Sequence, residues 1–209
     1  MINFVKKIKY FFQFIIILLL FLLFKLVGLK YSRLIASKIF VFFGPLFRSS
    51  TITTSNIERA FPTKDDGFKK KIINEMWLTY GKILSEYSFI KIFRKGLEKK
   101  IEVEGQAELE EIKKNKQPVM FISGHFDNFE LMAMHIDKSG IDLAVIYRPL
   151  NNNFLNPMME NIRKKYVCKK QIKKGISGTK DLLKYFRSGT SIALMIDQRV
   201  SEGISSKFF

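Results

Sequence analysis

His125 and Glu130 are a pair whose types and spacing could carry out a proton transfer. His125 follows the apolar run Pro118 to Ile122, which reads as a buried strand ending in the Ser123-Gly124 turn. From Asn128 the pattern becomes helical, with Phe129, Leu131, Met132, Met134 and Ile136 and a stop at Gly140. Within one continuous helix, residues five apart point about 140° away from each other. The two side chains therefore meet only if His125 lies before the helix, with Asn128 as its N-cap. A carboxylate on one imidazole nitrogen fixes the tautomer and leaves the other nitrogen to take a proton. This is the orienting half of a Ser-His-Asp triad without its nucleophile. The nucleophile expected is a hydroxyl on the substrate. Asp127 is a second carboxylate near the imidazole, and Glu130 is the favoured partner.

The elements needed to position these groups follow in order. After the strand 118–122 and the helix 128–138 comes a strand from Leu143 to Tyr147. Then come a helix from about Phe154 to Lys165, a weak strand near Val167 to Ile172, a helix from Thr179 to Arg187, and a strand from Ile192 to Ile196. Strands alternating with helices predict an α/β fold with a mostly parallel central sheet flanked by helices. In such a sheet all strand C-termini share one edge, where ligands bind. Topology alone thus brings His125, Arg148 and Asp197, with Gln198 beside it, to one rim. His135 lies inside the helix after the motif and reads as an ordinary helix-face residue.

Ahead of this region the chain has a different character. Lys6, Lys7 and Lys9 precede an apolar run from Tyr10 to Phe24 that resumes after Lys25 as Leu26 to Leu29. A membrane span needs roughly 20 apolar residues, which this run reaches if Lys25 snorkels to the interface. Residues 1–33 are accordingly expected to form a membrane anchor, with a helix lying in the interface as the alternative. No small-residue cleavage site follows, which argues against a signal peptide. Cations flank both ends, so charge does not set the orientation. Residues 34–100 read as a helical, membrane-proximal segment: an apolar stretch Ile35 to Phe47, a helix ended by Pro62, and an amphipathic helix over 64–95 with a possible break at Gly81. Residues 101–209 make up the α/β domain, introduced by a short helix from Glu108 to Lys114.

Lys and Arg outnumber Asp and Glu, giving a net charge of +17 that calls for an acidic partner: nucleic acid, anionic lipid or an acidic protein. No nucleic-acid-binding motif is present, and the hydrophobic N-terminus argues against that class. The run Arg163 to Lys174 carries seven cations and no acid, and reads most simply as a solvated face. The single Cys168 excludes an intrachain disulfide and a cysteine-rich zinc site.

Gly124-His125-Phe126-Asp127-Asn128-Phe129-Glu130 resembles the His-x4-Glu motif of the lipid A biosynthesis acyltransferases, the lauroyl and myristoyl transferases of the wider His-x4-Asp/Glu group. Asp127 departs from the Gly usual there. Asn56-Ile57-Glu58-Arg59-Ala60-Phe61-Pro62 looks like the stretch that precedes the family's catalytic domain. Tyr147-Arg148-Pro149 and Asp197-Gln198 look like its later blocks. The resemblance implies a glycerolipid-acyltransferase-like fold and transfer of a fatty acyl chain from an acyl carrier protein thioester to a hydroxyl of a phosphorylated glycolipid. His125 would be the general base and Glu130 its partner. Arg148, Asp197, Asn128 and Gln198 would bind substrate, and backbone N–H groups near Asn128 and Phe129 would stabilise the oxyanion. It implies no metal, no cofactor beyond the thioester co-substrate, and a place at the bacterial inner membrane facing the cytoplasm. A glycerophospholipid acyltransferase of the same group is the alternative, but its Glu-Gly-Thr-Arg block is not found. Family members continue past the matching Phe208-Phe209, so a truncated C-terminal part is expected.

Overall fold

The computed structural model describes residues 4–96 and 101–198. The terminal Phe208-Phe209 lies outside them. The chain divides into two compact units between Lys95 and Gly96.

The first unit is helical. Helix α1 runs from Phe4 to Phe47, with a non-helical residue at Gly28 (φ 79°, ψ 166°). Residues 4–27 rise about 36 Å at 1.5 Å per residue, against a hydrocarbon core of about 30 Å. By length and composition this helix suits a membrane crossing. The apolar stretch from Ile35 lies in the second of the two helical stretches of α1, the one that follows the kink at Gly28. Helix α2, Ser50–Ala60, starts at the N-cap Ser49 and stops before Pro62. In α3, Asp66–Tyr87, Asp65 caps Phe68 N–H at 2.9 Å, and α4, Ile90–Lys95, follows.

Gly81 does not break α3. A side chain there would strike the main-chain oxygen of Ala36, so its bareness lets α1 and α3 touch backbone to backbone. Ser37 Oγ donates to Leu78 O (2.9 Å), and Arg33 Nε meets the buried Glu86 Oε1 at 3.0 Å.

The second unit is α/β. After α5, Gln106–Asn115, come β1 (Met120–Ser123), α6 (Glu130–Lys138), β2 (Leu143–Tyr147), α7 (Leu155–Tyr166), β3 (Lys170–Lys173), α8 (Ile176–Arg187) and β4 (Ser191–Met195). The four strands form one parallel sheet in the order β1-β4-β2-β3. Leu182, Tyr185 and Phe186 of α8 pack on Ala144, Ile172 and Ile192 to make the core of one face. The third strand starts later than the apolar pattern indicates. Val167 and Cys168 are buried, but their N–H groups still donate to Arg163 O (2.8 and 3.0 Å), extending the turn of α7.

Candidate active site

The register of β1 against β4 brings a base and an acid together. Ser123 lies opposite Met195. Two residues further along each chain, the same offset sets His125 opposite Asp197. His125 N–H donates to Asp197 Oδ2 (2.8 Å), and His125 Nδ1 lies 2.7 Å from Asp197 Oδ1. An ionised carboxylate only accepts hydrogen bonds, so Nδ1 carries a proton, and in the neutral ring Nε2 presents its lone pair. Among the described residues Nε2 has no hydrogen-bond partner. The His125 and Asp197 side chains are 31% and 40% exposed, so a substrate can reach the ring. The main-chain N–H of His125, followed by its ring, holds the Asp197 carboxyl below the usual carboxylate range. The Phe129 ring and the imidazole pack in a T-shaped arrangement with 4.7 Å between centroids. At Gly124 a Cβ would crowd Phe126 and stand 3.3 Å from Asp197 Cγ. Glycine at that position therefore permits the close approach of the acid.

Glu130 is not the imidazole's partner. It begins α6, is buried, and accepts from Arg163 Nε of α7 at 2.7 Å, with side chains 8% and 16% exposed. A buried carboxylate needs a cation, and Arg163 supplies it. The nearer acid at the ring arrives from the neighbouring strand. Arg163 is thus withdrawn from the basic run and ties α7 to the start of α6. Breaking a buried pair from one side typically costs about 3–5 kcal/mol.

The loop before α6 also departs from expectation. Asn128 is not a side-chain cap. It is buried, its carbonyl accepts from Leu131 N–H at 3.1 Å, and the helix begins after Phe129 without a capping side chain. Phe129 N–H donates to Asp127 O (3.0 Å), which removes it as an oxyanion donor. Asp127 has φ 41°, a left-handed conformation that costs a non-glycine residue roughly 1–2 kcal/mol. That backbone accounts for the Gly usual in the resembling motif.

Arg148 is exposed just past β2, next to β4 in the sheet, and Gln198 is exposed beside Asp197. His135 Nε2 lies 3.0 Å from Gln106 Oε1, an α5–α6 contact. Asp197 was legible as a rim residue but not as the partner of His125. Arg163 and Phe129 carried no sequence signal of their roles beyond a cation in a basic run and an apolar helix position.

The sequence model of the bacterial lipid A biosynthesis acyltransferases matches residues 3–209. The chain belongs to that family. No curated protein matches it. As an acyltransferase of this family, the protein requires an acyl donor and a lipid acceptor. An imidazole with one nitrogen held and, among the described residues, the other open at an exposed sheet edge suits that chemistry.

Proposed function

We propose that this acyltransferase moves a fatty acyl chain from an acyl carrier protein thioester to a hydroxyl of a lipid A precursor or related phosphorylated glycolipid. The observation that carries the reading is the 2.7 Å contact of Asp197 Oδ1 with His125 Nδ1, with Nε2 left open among the described residues. His125 Nε2 takes the acceptor proton as the hydroxyl oxygen bonds to the thioester carbonyl carbon. The tetrahedral intermediate collapses, the C–S bond breaks, and the departing thiolate recovers the proton from the imidazolium. Asp197 holds the tautomer and offsets the charge that develops on the ring. Glu130 acts at one remove, through Arg163, by fixing the start of α6. Arg148 attracts phosphate on the acceptor, Gln198 meets the acceptor beside Asp197, and the buried Asn128 supports the loop. The scheme uses the thioester as co-substrate and calls for neither metal nor nucleic acid. Residues 4–27 would anchor the protein in the bacterial inner membrane, with the second unit on the cytoplasmic side where the carrier protein is found.

The test is acyl transfer in membranes supplied with carrier thioester and phosphorylated glycolipid, with the product read by mass. His125→Ala should lower turnover by at least about 10²-fold, the lower end of general-base contributions. Asp197→Asn should also lose about 10²-fold or more, because the amide can donate to Nδ1 and favour the wrong tautomer. Both variants should remain folded and membrane-bound. Near-normal turnover by His125→Ala would refute the mechanism.

A further inference from the structure

The register that pairs His125 with Asp197 has a counterpart on the other half of the sheet. Tyr147 of β2 lies opposite Lys173 of β3. One residue past each strand, the same offset sets Arg148 opposite Lys174. Lys174 N–H donates to Tyr147 O at 2.9 Å, which locks this register at the strand ends. A Cβ at Gly178 would collide with Lys173 O, so the first turn of α8 sits directly on the backbone before Lys174. Both cations are thus held on fixed backbone, in neighbouring strands about 4.8 Å apart.

Like charges directly opposite one another across strands are unfavourable. The cations within β3 avoid that cost. Lys170 pairs with Asp142 at 2.6 Å, and Lys173 faces Glu160 at 3.9 Å. Arg148 and Lys174 are both exposed, and among the described residues neither has a hydrogen-bonding side chain or an acid against it. Among the described residues Asp197 makes no ion pair with Arg148, and its two oxygens accept from His125 N–H and Nδ1.

We propose that Arg148 and Lys174 together form a seat for a phosphate group of the substrate. Along the edge the order is His125, Asp197, Arg148, Lys174, following β1-β4-β2-β3. With strand spacings of about 4.8 Å, the seat lies roughly 10–14 Å along the edge from His125. The ligand is a phosphate ester whose phosphate stands that far from the reacting carbon or hydroxyl. This inference builds on the acyl-transfer reading and adds Lys174 as a binding residue.

Two readouts test it with the full-length chain in detergent micelles. The first needs no turnover: inorganic phosphate is titrated at low ionic strength into wild type, Arg148→Gln, Lys174→Gln and the remote control Lys164→Gln. Removing one charge-assisted contact should weaken phosphate binding about tenfold in the first two variants, and the control should match wild type. The second readout is kinetic. With Lys174→Gln, KM for a phosphorylated glycolipid should rise about tenfold with little change in kcat. That rise should vanish when the acceptor has been treated with phosphatase. If KM rises instead for the thioester donor, the seat holds the donor's phosphodiester and the shared chemistry stands. Unchanged phosphate binding in Lys174→Gln would overturn the proposal. So would a KM rise that persists with dephosphorylated acceptor and leaves the donor unaffected. Loss of binding only to phosphatidylglycerol vesicles would also overturn it, because the pair would then be a membrane contact. A failed acyl-transfer reading would appear as unimpaired turnover in His125→Ala and would leave the titration intact.

Discussion

At the N-terminal edge of the sheet, Lys170 Nζ lies 2.6 Å from Asp142 Oδ2 and 2.9 Å from Thr190 Oγ1, and the Thr190 hydroxyl donates to the same carboxylate at 2.8 Å. Lys170 also lies over the Tyr185 ring at 5.3 Å. At the C-terminal edge the same four strands carry His125, Asp197, Arg148 and Lys174, and among the described residues only the first two satisfy one another. Both edges obtain their pairings from parallel register, yet one is a closed network and the other, among the described residues, leaves an imidazole nitrogen and two cations open. Closure serves to hold β2, β3 and β4 in line. Openness at the other edge carries a cost in repulsion and exposure that folding alone does not require, which is why the chemistry is assigned there.

Glu130 sharpens the contrast, because it belongs to the open edge by sequence and to the closed one by behaviour. Glu130→Ala leaves the Arg163 guanidinium buried without its carboxylate and should cost about 3–5 kcal/mol in chemical denaturation. Asp197→Asn, with its half-exposed side chain, should cost far less stability and far more turnover. If Glu130→Ala lost activity at undiminished stability, the assignment of Glu130 as a structural residue would fail.

Asp142 and Asp197 both have folded pKa values below the ordinary carboxylate value. For Asp142, burial raises the pKa, but hydrogen bonds from Lys170 and Thr190 and the Lys170 charge together outweigh it. A depressed carboxylate contributes stability that is fully present above its unfolded pKa and is lost as pH falls through the lower folded value. Asp142→Asn should therefore be modestly less stable than wild type at neutral pH. That difference should persist down to about pH 4 and close only below it. Its turnover should match wild type, measured alongside thermal unfolding across the same pH series. A turnover defect in this variant would erase the functional distinction between the two edges.

The smallest effect concerns Asp127. Asp127→Gly relieves roughly 1–2 kcal/mol of left-handed strain and forfeits about 0.5–1 kcal/mol to the freedom of glycine in the unfolded chain. A net gain of about 0.5 kcal/mol should appear as a slightly higher midpoint in urea.

Much of this architecture can be read from the chain, and the part that cannot has a common cause. The strand Leu143–Tyr147 is a compact apolar run with the Arg148-Pro149 boundary after it, and its limits coincide with β2. Alternation of apolar runs and helical patterns conveys a parallel sheet and hence a shared rim for His125, Arg148 and Asp197. Strand order is not a local property. Nothing near His125 announces that β4, 72 residues on, pairs with β1, so the nearby Glu130 looks like the partner and the distant Asp197 does not. Arg163 misleads for the same reason: within a run of lysines it looks solvated, and only the fold reveals its ion pair with Glu130, 33 residues earlier. Asp127 gave the reverse case. Its departure from Gly was visible in the sequence, while its consequence, a positive φ, is visible only in the backbone.

The most direct test of the central claim is the tautomer of His125, read by nitrogen-15 NMR of the histidine-labelled protein in micelles at neutral pH. The account predicts a protonated Nδ1 with a strongly downfield proton in wild type, retained in folded Glu130→Gln and abolished in Asp197→Asn. A signal that survives Asp197→Asn and disappears in Glu130→Gln would contradict it.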